Sequence, residues 1–311
     1  MILTVCLNIA IDTTYTVPGL VPGSSHRVAT VGARAGGKGV NVARVLTSLG
    51  QDVVLTGLAG GSTGAQVAAD LAGLTGLAGL TAELVPIAGE SRRTMAVVHG
   101  AEVTVFNEAG PLVTAEEWRA FLESYAGLVA AAGVVVLSGS VPPGIPASAY
   151  AELTGTAHTA GAAVIIDAEG ELLHEALAQG PEIAKPNANE VATLLGRPAR
   201  TTDDATEAAE LLVKHGAKTA IVSQGAEGFV AVTPGKSYAV RPGRLVHGNP
   251  TGAGDALAAA LADGLTKGQD WPELLRNAAA VAAAAVAAPL AGDFDARLAA
   301  ELRNTIQVEE V

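Results

Sequence analysis

The apolar residues of this 311-residue chain fall in short continuous runs that alternate with stretches at helical spacing. Ile2 to Ile9 is such a run, rich in β-formers and bounded by Asp12, and it predicts a buried strand. From Gly39 to Leu49 the period changes: Val42, Val45, Leu46 and Leu49 share one helical face, and Gly50 ends the helix. Val53 to Leu58 is the next buried strand, and Gly60–Gly61–Ser62–Thr63–Gly64 opens a helix to about Leu74. Further on, the pattern predicts helices near 115–131, 147–159, 172–177, 190–195 and 203–215. Strands are expected at 134–137, 163–167, near 183, and at 219–222, 229–232 and 237–240, with helices from Ala256 onward. Such alternation implies an α/β protein: a doubly wound, mostly parallel sheet with helices on both faces.

Two segments break the alternation. Thr13 to Ala35 carries Pro18, Gly19, Pro22 and Gly23 and the alternating Val28, Thr30 and Val31, which suits a sheet with one exposed face. Thr94–Val98 and Val103–Asn107 read as a hairpin joined by His99–Gly100–Ala101–Glu102. Together they predict a small antiparallel β lid, residues 12–35 and 91–107, inserted into a large α/β unit made of 1–11, 36–90 and 108–311. No repeat of fixed period occurs, and the acidic end Glu309–Glu310–Val311 is expected to fray.

Composition narrows the function. Hydrophobic residues make up 49% of the chain but aromatics only 3%, so the core must pack through small aliphatic side chains, and a site built on base or sugar stacking is disfavoured. With 31 acidic against 19 basic residues the formal charge is −12, which argues against nucleic acid or an anionic membrane surface as partner. An anionic substrate must therefore meet locally placed basic groups. Cys6 is the only cysteine, which excludes an intramolecular disulfide and a cysteine-rich zinc site, and it reads as a buried thiol. The start lacks a basic n-region and a small-residue cleavage site, so no leader is expected, and the uncharged stretch Ala278 to Ala288 is too short to span a bilayer. A cytoplasmic enzyme is the expectation.

The candidate chemistry centres on Asn249–Pro250–Thr251–Gly252–Ala253–Gly254–Asp255–Ala256, just before a small-residue helix. Glycines that let backbone N–H groups converge at a helix N-terminus suit a transferring phosphoryl group. A carboxylate there repels the anion unless it acts on a neighbouring hydroxyl, so Asp255 reads as a general base beside an anion hole, Gly252 to Asp255. The alternative is a Gly-rich turn capped by Asp. In a doubly wound sheet ligands sit outside the carboxyl ends of strands, and those positions hold Asp12, Ser138–Gly139–Ser140, Asp167, Lys185–Pro186–Asn187 and Ser223–Gln224–Gly225. Gly36–Gly37–Lys38–Gly39–Val40–Asn41 precedes a helix and offers N–H groups, an ammonium and a carboxamide to a sugar or its phosphate; the alternative is a Gly turn with an exposed Lys. Arg27, Arg92 and Arg93 bring guanidinium forks for a substrate phosphate, although surface arginines are common. Asn187 and Glu190, three apart, suit magnesium held through its waters, or equally an ordinary helix cap. No G-x-x-x-x-G-K-[ST] occurs and no G-x-G-x-x-G follows the first strand, which removes P-loop nucleotidases and leaves a dinucleotide-dependent dehydrogenase unsupported.

Nearly end to end, the chain resembles the ribokinase-like (PfkB) carbohydrate kinases, most closely the branch containing 1-phosphofructokinase and tagatose-6-phosphate kinase. The resemblance rests on Leu7 to Asp12, Gly36 to Leu46 (GGKGVNVARVL), Ser138 to Gly144 (SGSVPPG), Lys185 to Glu190 (KPNANE) and Asn249 to Ala256 (NPTGAGDA). It implies a kinase using ATP and Mg2+, with Asp255 as base, Gly252, Ala253 and Gly254 as anion hole, and Asn187 with Glu190 on magnesium-bound water. Around the sugar phosphate it implies Asp12, Arg27, Gly36, Gly37, Lys38, Asn41, Arg92, Ser138 and Ser140. Around the nucleotide it implies Lys185, Asn187, Ser223, Gly225, Gly228, Thr251, Gly252 and Gly254. The expected reaction is fructose 1-phosphate to the 1,6-bisphosphate; the alternatives are tagatose 6-phosphate, fructose 6-phosphate or an unphosphorylated sugar or nucleoside as acceptor, and, remotely, a sensor without turnover. In the family a β lid closes over the sugar and often dimerises, which implies a homodimer through the lid. Two departures stand out: Thr94 replaces the Asn of a Thr-Arg-x-Asn pattern, and Asn249 replaces an acidic residue associated with a monovalent-cation site in some relatives.

Overall fold

The first apolar run is shorter than its pattern predicts. In the computed structural model of the protein, which describes residues 1–74, 79–100 and 102–311, β1 (Ile2–Cys6) stops at Cys6, and β2 (Ala10–Val17) leaves for a second sheet. There follow β3 (Thr30–Gly36), α1 (Lys38–Ser48), β4 (Val53–Gly60), α2 (Gly61–Leu74), β5 (Leu80–Ile87), β6 (Arg92–His99) and β7 (Glu102–Asn107). The next elements are α3 (Ala115–Val129), β8 (Val134–Ser138), α4 (Ala149–Thr159), β9 (Ala163–Asp167), α5 (Gly170–Leu177), β10 (Ile183–Ala184), α6 (Ala192–Leu195) and α7 (Thr202–Lys214). The chain ends with β11 (Ala220–Ser223), β12 (Phe229–Thr233), β13 (Lys236–Arg241), α8 (Ala253–Thr266), α9 (Trp271–Val286), α10 (Ala296–Arg303) and β14 (Gln307–Glu310).

Among the described residues ten strands form the main sheet, in the order β14-β13-β12-β11-β10-β9-β8-β1-β4-β5. From β5 to β11 all pairings are parallel; β12, β13 and β14 close the far edge antiparallel. Both faces are covered, which is why the central strands read as unbroken apolar runs. Ile2 and Cys6 of β1 point into the layer of α1, α2, α8, α9 and α10, while Leu3 and Val5 point into that of α3, α4, α5 and α7. The shortage of aromatics shows in how closely helices approach: a Cβ on Gly264 of α8 would lie 2.6 Å from Leu274 Cγ of α9. From β1 the chain moves one way to β4 and β5 and then the other way to β8, β9, β10 and β11, so the order reverses beside β1.

Two further elements depart from expectation. β5 was not anticipated, because as an edge strand it alternates: Thr81, Glu83 and Pro86 are exposed between Leu80, Val85 and Ile87, and proline is tolerated on an edge. The C-terminal residues are not frayed. Gln307–Glu310 pairs antiparallel with β13, Tyr238 opposite Glu310, and Lys236–Glu310 and Arg241–Glu309 ion pairs of 2.7 and 2.9 Å flank the strand. The second sheet runs β3-β2-β6-β7, antiparallel at both outer pairings and parallel between β2 and β6. Ala101, in the connection between β6 and β7, lies outside the described residues.

Candidate active site

Because β8, β9, β10 and β11 are parallel neighbours, Ser138, Asp167, Lys185 and Ser223 arrive together at their carboxyl ends. Ser138 pairs with Asp167 in register, and the Gly139 N–H donates to the Asp167 carbonyl at 3.0 Å. Asp167 is the hub. Lys38 Nζ at the start of α1 donates to its Oδ1 at 3.2 Å, and buried Lys185 Nζ lies 3.2 Å from its Oδ2 as an ion pair, without the alignment of a hydrogen bond. Burial pushes the Asp167 carboxyl up, but the ammonium groups of Lys185 and Lys38 outweigh it and hold the net pKa below the usual value. For Lys38 burial works downward, and Asp167, Asp255 and Glu190 reverse it to a strongly raised pKa.

Opposite this hub stands the N-terminus of α8. Asn249 Oδ1 accepts from the Thr251 N–H at 3.0 Å and folds the loop back, and Gly252 takes the left-handed conformation (φ 89°) as N-cap. First-turn N–H groups have no intrahelical acceptor, so those of Gly254 and Asp255 are open to an anion. Lys185 reinforces them, since a Cβ on Gly254 would lie 3.5 Å from its Nζ. Asp255 is buried and accepts from Asn41 Nδ2 at 2.8 Å. Burial and then the Asp167 charge raise its pKa to about 7, against the opposing pull of Lys38, Asn41 and Lys185. A carboxylate poised near neutrality suits a general base.

The turn tolerates no side chain at Gly252. A Cβ there would meet Ala291 Cβ at 2.7 Å and Cα at 2.9 Å, in a backbone conformation that L residues disfavour. Gly252→Ala is expected to lower stability by roughly 1–3 kcal/mol for strain and a similar amount for overpacking, read as a fall in the urea midpoint. An unchanged midpoint would show that the turn relaxes freely.

The remaining candidates divide into groups. Asp12, half-buried on β2, lies over Gly36, where a Cβ would fall 2.0 Å from its Oδ2, and it accepts from the Gly37 N–H at 3.4 Å. Its pKa is raised, chiefly by burial. Arg92 starts β6 and donates through Nε to the Asn8 carbonyl at 3.0 Å and through Nη1 to that of Glu108 at 3.2 Å. Asn8 Nδ2 in turn donates to Ser140 Oγ at 3.1 Å, so Arg92 and Ser140 share one neighbourhood. Arg92 and Arg93 also line a cleft with Gly89, Glu108, Gly110 and Leu112. Arg27 is exposed in the connection between β2 and β3 and joins none of these groups. Asn187 and Glu190 form a reciprocal cap: Asn187 Oδ1 accepts from the Asn189 and Glu190 N–H groups at 2.9 and 3.0 Å, and Glu190 Oε2 accepts from the Asn187 N–H at 2.8 Å. The other oxygen, Oε1, lies 3.7 Å from Lys38 Nζ. Ser223 bridges to Asn187, Gly225 turns the chain at φ 62°, and Gly228 is required by packing, a Cβ there meeting the Val240 carbonyl at 2.0 Å. Thr251 is exposed beside Gly252. Asp167 was visible in the sequence only as a polar residue ending a strand; its partnership with two lysines was not.

A buried carboxylate tuned towards neutrality in the first turn of a helix, with two ammonium groups beside it at the carboxyl edge of a parallel sheet, is an arrangement suited to group transfer involving an anion. The chain belongs to the pfkB family of carbohydrate kinases, whose model matches residues 1–296. It is thus a phosphotransferase that acts on a sugar hydroxyl, in a family that uses ATP. Among solved structures it is similar to a possible 1-phosphofructokinase from Thermotoga maritima, with TM-score 0.91 and 27% identity over 100% of this chain and 99% of that one. Phosphofructokinase-2 from Escherichia coli in complex with potassium matches at TM-score 0.89 and 28% identity, over 97% and 98% of the two chains. An Arabidopsis thaliana ribokinase complexed with ribose and ATP shares the fold at TM-score 0.75 and 22% identity, over 97% and 98%. Among the described residues no helix is long and apolar enough to cross a membrane.

Proposed function

We propose that the chain transfers the γ-phosphoryl group of ATP to a ketohexose phosphate, with fructose 1-phosphate as the first candidate and tagatose 6-phosphate or fructose 6-phosphate next. The observation that carries the reading is Asp255, buried, fixed by Asn41 and poised near neutrality at the start of α8. Asp255 accepts the hydroxyl proton as the oxygen attacks the γ-phosphorus and ADP leaves, while the N–H groups of Gly254 and Asp255, with Lys185, stabilise the charge that spreads onto the phosphoryl oxygens; the Ala253 N–H is already donated to the Pro250 carbonyl at 3.2 Å. Asp12, Gly36, Gly37, Lys38, Ser138 and Ser140 surround the sugar in this reading, with Arg92 for its phosphate, and Arg27, exposed between β2 and β3, joins it only on closure of the lid. Ser223, Gly225, Gly228, Thr251, Lys185 and Asn187 line the nucleotide side.

Whether the residues fit magnesium can be judged from the donor set. Among the described residues no group of three His, Cys, Asp or Glu side chains could hold an ion directly, and the Asn187 carboxamide oxygen is already engaged twice. Glu190, with Oε1 outside the cap, fits an ion that keeps its water shell and arrives on the nucleotide. When bound, magnesium neutralises part of the phosphate charge.

The small sheet serves as a lid in this proposal, closing to exclude water. Val31, Met95 and Phe106 are exposed on one face of it and suit contact with a second copy. We place the enzyme in the cytoplasm. A second reading, an unphosphorylated sugar as acceptor, is favoured by Thr94 and by Arg92, two of whose nitrogens already serve backbone carbonyls. ADP release from magnesium-ATP, measured with fructose 1-phosphate, fructose 6-phosphate, tagatose 6-phosphate, fructose and ribose, decides between them. Turnover is expected with phosphorylated ketoses alone; turnover confined to a free sugar establishes the second reading, and silence on all five removes both.

A further inference from the structure

Arg34 leaves the small sheet and reaches the loop between α9 and α10. Its Nη1 donates to Asp293 Oδ2 at 2.9 Å and its Nη2 donates to the Ala291 carbonyl, with the arginine side chain 15% exposed and that of Asp293 47%. This loop packs against the turn that precedes α8: the Cβ position of Gly252 lies 2.7 Å from Ala291 Cβ and 3.2 Å from the Gly292 nitrogen. Gly292 also lies against Asn41, its Cβ position 3.0 Å from Asn41 Oδ1, and Asn41 is the residue that donates to Asp255. The neighbouring residue of β3 is held as well. Buried Arg44 donates to the Ala35 carbonyl at 3.3 Å and to Asp70 Oδ2 at 2.6 Å, Asp70 accepts from the Ala35 N–H at 3.0 Å, and Arg44 Cδ lies 3.1 Å from the Cβ position of Gly292. Two routes of direct contact thus run from β3 to Asp255. One passes through Arg34, Ala291 and Gly252, the other through Ala35, Arg44, Gly292 and Asn41.

We propose that Arg34 and Asp293 form a latch that ties the small sheet to the 252–255 turn, making Arg34 a positioning residue for phosphoryl transfer. A close-packed loop passes displacement on rather than absorbing it, and a guanidinium held at two points resists both sliding and rotation. With the latch closed the turn keeps the geometry that aims its N–H groups and Asp255. Without it the sheet can still bind sugar, but the turn is no longer held to it. This rests on the role proposed above for Asp255 and the turn.

The test is steady-state kinetics and thermal midpoints of Arg34→Ala, Arg34→Lys, Asp293→Ala and the Arg34→Ala/Asp293→Ala double variant, beside Asp255→Asn, on a sugar that turns over. Arg34→Ala is expected to lower kcat about 10- to 100-fold, the scale of small misplacements, with KM for both substrates within about threefold. Arg34→Lys should recover part of the loss, Asp293→Ala should lower kcat in the same sense, and the double variant should be no worse than Arg34→Ala. A lowered midpoint with wild-type kcat per folded enzyme, or losses that multiply in the double variant, overturns the latch. If Arg34→Ala does not fold, Asp293→Ala decides alone, wild-type kcat overturning the proposal. An active Asp255→Asn removes the role of Asp255 itself, whereas an inactive Asp255→Asn beside fully active Arg34→Ala and Asp293→Ala removes only the latch.

Discussion

Asp255→Asn is expected to lose at least about 10²–10⁴ in kcat while KM for ATP and sugar changes little, because the amide keeps the size of the side chain and removes only its basicity. The same substitution should make the folded protein more stable above neutral pH. Folding raises the Asp255 pKa from 3.8 to about 7, so the protonated form is the one the fold favours. Its contribution is therefore fully present below pH ~4 and is lost as pH rises towards ~7. At about 1.4 kcal/mol per unit the wild type carries a penalty on the order of 4 kcal/mol or less at pH 8 that the Asn variant escapes. Urea denaturation at pH 5 and 8 reads it as a variant advantage that grows with pH. An advantage that stays constant would mean that Asp255 is not the titrating group, and near-wild-type turnover would remove it as base.

Lys185→Met is expected to do damage on two fronts. Lys185 and Asp167 are both buried, and removing one partner of a buried pair typically costs about 3–5 kcal/mol. The ammonium also lies beside Gly254, and loss of one electrostatic stabiliser of a transition state lowers kcat by about 10²–10³. The diagnostic is a direction. Lys185 lowers the Asp255 pKa and Asp167 raises it, so Lys185→Met should move the acid limb of kcat/KM to higher pH and Asp167→Asn should move it lower. Limbs that move together, or not at all, would show that these charges do not act on the base.

What could be read from the sequence follows from where the forces lie. Strands covered on both faces announce themselves by unbroken apolar runs, so Val134 to Leu137 and Ala163 to Asp167 were placed within a residue of where they lie. Strands at the two edges of the sheet did not, because Thr81, Glu83, Glu309 and Glu310 answer to solvent on one side. The turn before α8 was legible because its glycines and Asp255 are consecutive. The charges around it were not: Lys38 meets Asp167 across 129 positions, Arg34 meets Asp293 across 259, and no local pattern records such encounters. The cap between Asn187 and Glu190 shows that a motif read in two ways can satisfy the structural reading and still leave one oxygen, Glu190 Oε1, outside it.

The C-terminal strand has a bearing on the protein in concentrated solution. β13 is paired on its outer side only by Gln307–Glu310, so those few residues stand between an apolar strand containing Tyr238, Ala239 and Val240 and any other chain with an open edge. Two consecutive glutamates on the outermost strand make it a poor template for further pairing. A few acidic residues that add little to the core thus guard this edge of the sheet against growing beyond its own molecule.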